Sequence, residues 1–404
     1  MGHYLSKVTE ISNVLESIQE VKENLVTSNT LLNKLQNHSA VLLKGNNQSI
    51  AAGHGLLVKV NVSLGISNLN KTHIELEKLS QLTCVGYKPD TVMDLSIIHT
   101  DTPLYLQAVE TFGGPVGTLP HYLCFDEQKG IEPKLLLDEI ERQAERGVSF
   151  MTMHLTPRKY LYEKAIATRV IPITSRGGGI IIRDMYMNNR EESVLSLYFD
   201  QILQILRENN ITLSIGTAFR PANTIDTLDE VQLEEIQIQG EYIREAQRAG
   251  VQVMMEGMGH CTLNKIAEYV QIVRKNYSIP VMPLGPIPTD AAVGEDHIAS
   301  AIGASFMAYM GGADIINAVT REEHTGKVPT TESVLEGLRA ARIASHTVNL
   351  ARFSQLDTID NLISKSRAKN YTCVVEGGLF SESSHQRFSM GCSRCGKVCP
   401  LLPT

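Results

Sequence analysis

The sequence predicts an α/β protein: a (β/α)8 barrel of the TIM type, with an N-terminal helical segment and a C-terminal arm carrying a cysteine cluster. Three observations lead there. Short β-rich runs alternate with amphipathic helical stretches from about residue 56 to 350, a pattern that demands parallel strands joined by crossover helices. No such run is followed by the GxGxxG turn of an open dinucleotide-binding sheet. Polar residues recur just beyond the C-terminal ends of the runs, where barrels collect their chemistry.

In chain order, residues 1–52 read as a helical segment, with Val14, Leu15, Ile18, Val21, Leu25, Leu31 and Leu32 at helical spacing. The barrel is expected over 53–350. Its candidate strands are 56–62, 91–95, 115–119, 148–155, 170–174, 211–216, 251–256, 279–285 and 314–319. That is one too many for eight. The run 170–174 follows its predecessor by only about 15 residues and is read as a loop excursion. Stretches such as 133–147 and 233–250 supply crossover helices. Beyond Val348 the chain becomes polar and serine-rich, so 351–404 reads as an arm rather than a second core.

A formal charge of −7 argues against nucleic acid as the main partner, since a phosphate backbone calls for a basic face. A small phosphorylated substrate needs only one or two arginines and stays open. No stretch approaches the roughly 18 apolar residues of a membrane span, and the N-terminus has no signal-peptide core. Met1-Gly2 is a poor myristoylation site, and the expected location is cytoplasmic. Of seven cysteines, Cys84, Cys124, Cys261 and Cys373 are scattered, whereas Cys392, Cys395 and Cys399 crowd together near the C-terminus. That distribution points to reduced thiols and one metal site.

Three thiolates spaced as Cys392-Ser-Arg-Cys395-Gly-Lys-Val-Cys399 can ligate three irons of a 4Fe–4S cluster and leave the fourth iron for S-adenosylmethionine. Zinc held by the same cysteines, with or without His385, is the other reading of the tail. On the barrel, Asn61, Ser63, Asp94, Ser96, His154, Arg220, Glu256, His260 and His324 all follow strand ends. His260 and His324, on different loops, could hold a divalent ion, and Glu256 could accept a proton or bind an amine. The stretch Thr174-Ser175-Arg176-Gly177-Gly178-Gly179 offers a hydroxyl, a guanidinium and open backbone amides to a phosphate.

Taken in order, the stretches DTVMDLS (90–96), GTLPHY (117–122), ITSRGGG (173–179), VQVMMEGMGH (251–260), LGPIPTDAAVGEDHIASAIGA (284–304) and VTREEHTG (319–326) resemble the phosphomethylpyrimidine synthase family. These radical enzymes rearrange aminoimidazole ribotide to the thiamine pyrimidine. The resemblance implies a (β/α)8 barrel and a dimer whose cysteine arm covers an active site. It implies a 4Fe–4S cluster on Cys392, Cys395 and Cys399, S-adenosylmethionine, an external reductant such as ferredoxin or flavodoxin, and a divalent metal, often zinc, on His260 and His324. The positions carried over as substrate contacts are Met93, Tyr122, His154, Ser175, Arg176, Gly177, Arg220 and Glu256, with Asn61 on the first strand.

Three departures stand out. Family members read VNANIG where this chain has Val60-Asn61-Val62-Ser63-Leu64-Gly65, so Ser63 replaces an asparagine. They read GDGLRPG where Thr217 here replaces the acid, and they carry a tyrosine where this chain has Met282. An amide, a carboxylate and a phenol thus give way to smaller or less polar groups in the expected substrate site. The tail spacing is one residue shorter than in the longer thiamine enzymes, whose large N-terminal domain is absent. Two products remain open for aminoimidazole ribotide. The paralogous reaction yields 5-hydroxybenzimidazole for cobamide lower-ligand synthesis, acting as a homodimer or with a paralogous chain; the thiamine reaction yields the pyrimidine phosphate. The departures favour the paralog. A zinc-dependent barrel hydrolase is the rival of another class.

Overall fold

In the computed structural model, which describes residues 8–375, 377–380, 392 and 394–401, eight parallel strands form the central sheet. They are β1 (Lys59–Leu64), β2 (Thr91–Asp94), β3 (Val116–Thr118), β4 (Phe150–Met153), β5 (Thr212–Ile215), β6 (Val253–His260), β7 (Val281–Ile287) and β8 (Ile315–Asn317). The ladder runs β7-β6-β5-β4-β3-β2-β1-β8. Asp314 closes the ring: its backbone N–H donates to the Val281 carbonyl at 2.9 Å, and its carboxylate accepts the Val281 N–H at 2.9 Å. His385 and Met1-Gly2 lie outside the described residues.

The period of two decides what each strand residue does. On β4, Met151 and Met153 face outward to the helices, while Phe150 joins the barrel interior with Met93, Met254, Met282 and Ile315. Around the ring pack α1 (Thr72–Cys84), α2 (Leu104–Thr111), α3 (Pro133–Glu145), α4 (Phe199–Glu208), α5 (Glu230–Arg248), α6 (Leu263–Asn276), α7 (Asp296–Tyr309) and α8 (Thr331–Arg352). Their apolar faces cover the outward strand residues in one continuous core. Between β4 and α4 the chain inserts two further long helices, Lys159–Thr168 and Arg176–Met187. The run 170–174 sits between them and forms no strand, as its short spacing implied; its end leads straight into the Ser175 cap of the second helix.

The N-terminal segment departs from the expectation of helix throughout. Helices occupy Val8–Ser17, Gln19–Lys22 and Ser28–Gln36, but Ala40–Leu43 and Ile50–Gly53 form an antiparallel hairpin. A four-residue apolar run has no readable period, so it passes for the end of a helix. The hairpin sits at the N-terminal end of the barrel. Val41, Leu43, Ile50 and Ala52 pack into the same interior cluster as Phe150 and Ile315. Gln252, just ahead of β6, accepts the Leu42 N–H at 2.8 Å, and the Asn47 N–H reaches the Gly113 carbonyl ahead of β3 at 2.8 Å.

The same end carries a buried ion pair: Lys59 Nζ meets Glu20 Oε1 at 2.7 Å, with both side chains almost wholly inside. Removing one partner strands the other charge in a low-dielectric setting. Lys59→Met is therefore expected to cost about 3–5 kcal/mol, read as a fall in the urea midpoint. Pairing it with Glu20→Leu should recover most of that loss, because the isolated carboxylate then disappears as well.

After α8, a helix over Thr358–Asn370 buries no residue. The arm then returns to the barrel's N-terminal side, where the Phe380 ring meets Tyr87 edge-on at 4.8 Å. Arg339 lies over both rings. Among the described residues no helix is long and apolar enough to cross a membrane.

Candidate active site

At the C-terminal mouth of the barrel lies a cavity of about 310 Å³. Ten of the residues singled out from sequence line it: Ser63, Met93, Tyr122, His154, Ser175, Arg176, Arg220, Glu256, His260 and His324. They come from strands, loops and a helix start far apart in sequence, and the barrel brings them together.

One corner is built for an anion. Ser175 caps the helix Arg176–Met187, its Oγ accepting the Gly178 N–H at 3.1 Å. The positive end of that helix and the Arg176 guanidinium then face the same space. Arg176 is held above the Tyr122 ring, 5.9 Å from its centre. His154 backs the corner, with Nε2 at 2.9 Å from Ser175 Oγ. Gly177 does not line the cavity but is sterically obligatory: a Cβ there would fall 2.2 Å from His154 Cε1.

Glu256, from the middle of β6, is the buried carboxylate of the site. Burial pushes its pKa up to about 7, while Arg220 opposes the rise and neighbouring Glu235 adds to it. Glu235, on α5, was not foreseen. Its buried carboxylate accepts the Thr156 and Thr217 hydroxyls, each at 2.6 Å, and the Ala218 and Phe219 amides at 2.6 and 2.9 Å. It pins the loop that carries Arg220, and it consumes the Thr217 hydroxyl. A carboxylate in the middle of an amphipathic helix gives no local sequence signal of such a task.

The third feature is a pair of histidines. A register shift between Met258 and His260, with φ of 66° at Met258 and 101° at Gly259, re-aims the end of β6. Gly259 is needed because a Cβ there would lie 2.5 Å from the Pro221 carbonyl. His260 Nδ1 lies 2.6 Å from Asp290, and His324 Nδ1 lies 2.8 Å from Asp296. A carboxylate accepts, so each ring carries a hydrogen on Nδ1, and in the neutral form that metal ligation uses each presents a lone pair at Nε2. Those two Nε2 atoms face one another at 3.1 Å. Two lone pairs cannot bond to each other, but they can share a cation. Tetrahedral zinc with Zn–N bonds of about 2.0–2.1 Å sets its nitrogens roughly 3.3 Å apart. The donor set fits a divalent metal, with both orienting carboxylates in place. Asp290 and Asp296 sit within the 284–304 stretch, and the need for a carboxylate behind each ligating histidine was the signal that could have found them.

Four expected contacts lie apart from the cavity wall. Asn61 gives both ends of its amide to the barrel, donating to Asn317 Oδ1 and accepting the Thr91 hydroxyl, each at 2.7 Å. Met282 is buried in the interior cluster beneath the site. Thr217 and Gly177 act behind their neighbours, as above. Cys392 is exposed and Cys395 and Cys399 are half-buried; all three are free thiols. None of them lines the cavity. Among the described residues no three His, Cys, Asp or Glu side chains are gathered as a metal cage.

Comparison with known proteins places the chain. The family model described as the Radical SAM ThiC family matches residues 5–403. The chain is 34% identical to a phosphomethylpyrimidine synthase of Carboxydothermus hydrogenoformans, over 96% of this chain and 92% of that protein. It is 32% identical to a phosphomethylpyrimidine synthase of Thermotoga neapolitana, over 98% and 95% of the two chains. It is 33% identical to the 5-hydroxybenzimidazole synthase BzaA of Eubacterium limosum, over 98% and 96%.

Proposed function

The chain belongs to the Radical SAM ThiC family, and on that premise we propose that it is a radical S-adenosylmethionine lyase that rearranges 5-aminoimidazole ribotide to 5-hydroxybenzimidazole, as a homodimer or beside a paralogous chain. The observation that carries the reading is one cavity faced by an anion corner, a buried carboxylate poised near neutrality and a carboxylate-backed histidine pair. A zinc hydrolase would need the histidines but not the phosphate corner or the thiol tail.

Cys392, Cys395 and Cys399 fit a 4Fe–4S cluster: three free thiols within one short segment, with a tight turn over Gly396–Val398 between the last two. The cluster would bind S-adenosylmethionine and, given an electron from an external reductant such as ferredoxin or flavodoxin, supply a 5′-deoxyadenosyl radical. The barrel's own residues do the rest. Ser175, Arg176 and the adjoining helix amides hold the ribotide phosphate. Arg220 orients the sugar, and Glu256 holds or releases a proton at the aminoimidazole. Met93, Leu119, Tyr122 and Leu284 form apolar wall that keeps water from the reacting carbons. His260 and His324 would hold a divalent metal, probed by Asp290→Ala, which should weaken metal binding about 10–100-fold because His260 loses its orienting partner. Metal content after dialysis against a chelator reads this directly; full retention would count against it.

The choice of product rests on Ser63, which stands on the cavity wall in place of an amide. The pyrimidine product of thiamine synthesis is the second reading. It is favoured by the fact that the other two departures, Thr217 and Met282, do not reach the wall. Anaerobic reconstitution with aminoimidazole ribotide, S-adenosylmethionine and a reductant, followed by product mass, separates the two. A mass of 5-hydroxybenzimidazole is expected; pyrimidine phosphate would replace the first reading with the second. Protein lacking inorganic sulfide would end both.

A further inference from the structure

Behind the anion corner stands a second histidine that the proposed chemistry does not use. His121 is wholly buried, and its Nε2 lies 3.2 Å from His154 Nδ1. Its own Nδ1 has no hydrogen-bond partner among the described residues. We infer that His121 is a positioning residue that locks His154 as the tautomer protonated on Nε2, and thereby commits the Ser175 hydroxyl hydrogen to an anion in the cavity. The inference rests on the anion reading of that corner.

The hydrogens available to the two rings decide the tautomer. Burial lowers the pKa of His121 to about 3 and that of His154 well below its ordinary value. For His154 the neighbouring His121 and Arg220 add to the effect. Both rings are therefore neutral near pH 7, with one N–H each. Two arrangements satisfy the bond between them. If His154 donates from Nδ1, His121 must keep its hydrogen on Nδ1, where nothing accepts it. If His121 donates from Nε2, only a lone pair at its Nδ1 is left unmet. A buried orphan N–H is the rarer defect. The second arrangement is the one this environment selects.

That choice decides the sign of the corner. With its hydrogen on Nε2, His154 donates to Ser175 Oγ at 2.9 Å, and the Gly178 N–H donates to the same oxygen at 3.1 Å. Both acceptor positions of the hydroxyl are then filled. Its own hydrogen has the cavity left to point into, toward a group that can only accept, such as a phosphate oxygen beside Arg176. In the opposite tautomer Ser175 would donate back to His154, and the cavity would meet a lone pair that repels an anion. One buried ring, with no reach to the ligand, thus sets whether the site attracts or rejects it.

Neutron diffraction from deuterated crystals of the full-length chain reads the tautomers without any substitution. Deuterium is expected on Nε2 of both His154 and His121; deuterium on His121 Nδ1 overturns the inference. Calorimetric titration with inorganic phosphate tests the consequence. His121→Phe should bind phosphate about 10- to 100-fold more weakly than the wild type, the range for losing one hydrogen bond to a charged group. His121→Gln, whose amide nitrogen can donate from a similar position, should restore binding to within about threefold. Equal binding by wild type and His121→Phe, failure of the glutamine to rescue, or no phosphate binding by the wild type would each sink it. Neither measurement involves turnover, so a chain that made neither expected product would leave this result standing on its own.

Discussion

Replacing Cys395 with alanine is expected to abolish reductive cleavage of S-adenosylmethionine, with 5′-deoxyadenosine falling to background in anaerobic assays with dithionite. The reason is the ligand count. Three thiolates hold three irons and leave one site open; two thiolates leave a second iron exposed and the cluster open to loss. Cys395 is also the thiol at the start of the turn: the Val398 N–H donates to its carbonyl at 3.3 Å, and the Cys399 N–H donates to the Gly396 carbonyl at 3.2 Å. Gly396, with φ of 52°, lets the chain reverse there. Iron and sulfide should fall together in the variant while the barrel's thermal unfolding stays where it was. Undiminished deoxyadenosine would remove the tail from the chemistry altogether.

Glu256→Gln is expected to lower turnover about 10²- to 10⁴-fold, the range for losing a positioned acid or base, and yet to make the protein more stable above neutral pH. Both effects come from the same burial. The folded-state pKa of Glu256 is pushed up to about 7 from an ordinary 4.5. Between those values the native state binds a proton that the unfolded chain gives up. Stability from this group therefore falls as pH rises from about 4.5 to 7 and stays lowered beyond. A rise of about 2.5 pKa units corresponds to roughly 3 kcal/mol. Glutamine carries no charge to desolvate, so the variant should unfold at higher urea than the parent at pH 8 and at similar urea at pH 4. The pH–rate profile of the parent should show a limb near 7 that the variant lacks. A variant less stable than its parent at pH 8 would mean that Arg220 already compensates the carboxylate in full.

The barrel was legible because its signal repeats. Each strand is brief, but alternation over eight units leaves few other folds, and even the surplus run at 170–174 betrayed itself by its spacing. Cavity residues were legible for a similar reason: Ser63, His154, Arg220, His260 and His324 lie at or beyond strand ends, where a barrel delivers positions to one rim, and Glu256 closes the β-rich run 251–256 although the strand continues past it. What escaped was whatever depends on a partner far away in sequence. Glu235 holds a loop that begins some 18 residues before it, and nothing around it marks the contact. His121 acts through His154, 33 residues on. Asn61, at a strand end, and Thr217, where the resembling family has an acid, are expected at the ligand; in the structure their side chains bond to Asn317, Thr91 and Glu235. The hairpin at Ala40–Leu43 was missed because four apolar residues fit either period.

That hairpin also plugs one end of the barrel among the described residues. With Val41, Leu43, Ile50 and Ala52 wedged among Phe150, Met254 and Ile315, the far end is stoppered by hydrocarbon. On the proposed reaction, fragments shed when a ribose ring is dismantled would have the Ser175–Arg176 mouth to leave by, the one through which the ribotide entered. On that reading the order of departure would follow from size and grip: small pieces would slip past first, and the phosphate-bearing remnant, held by Ser175 and Arg176, would go last.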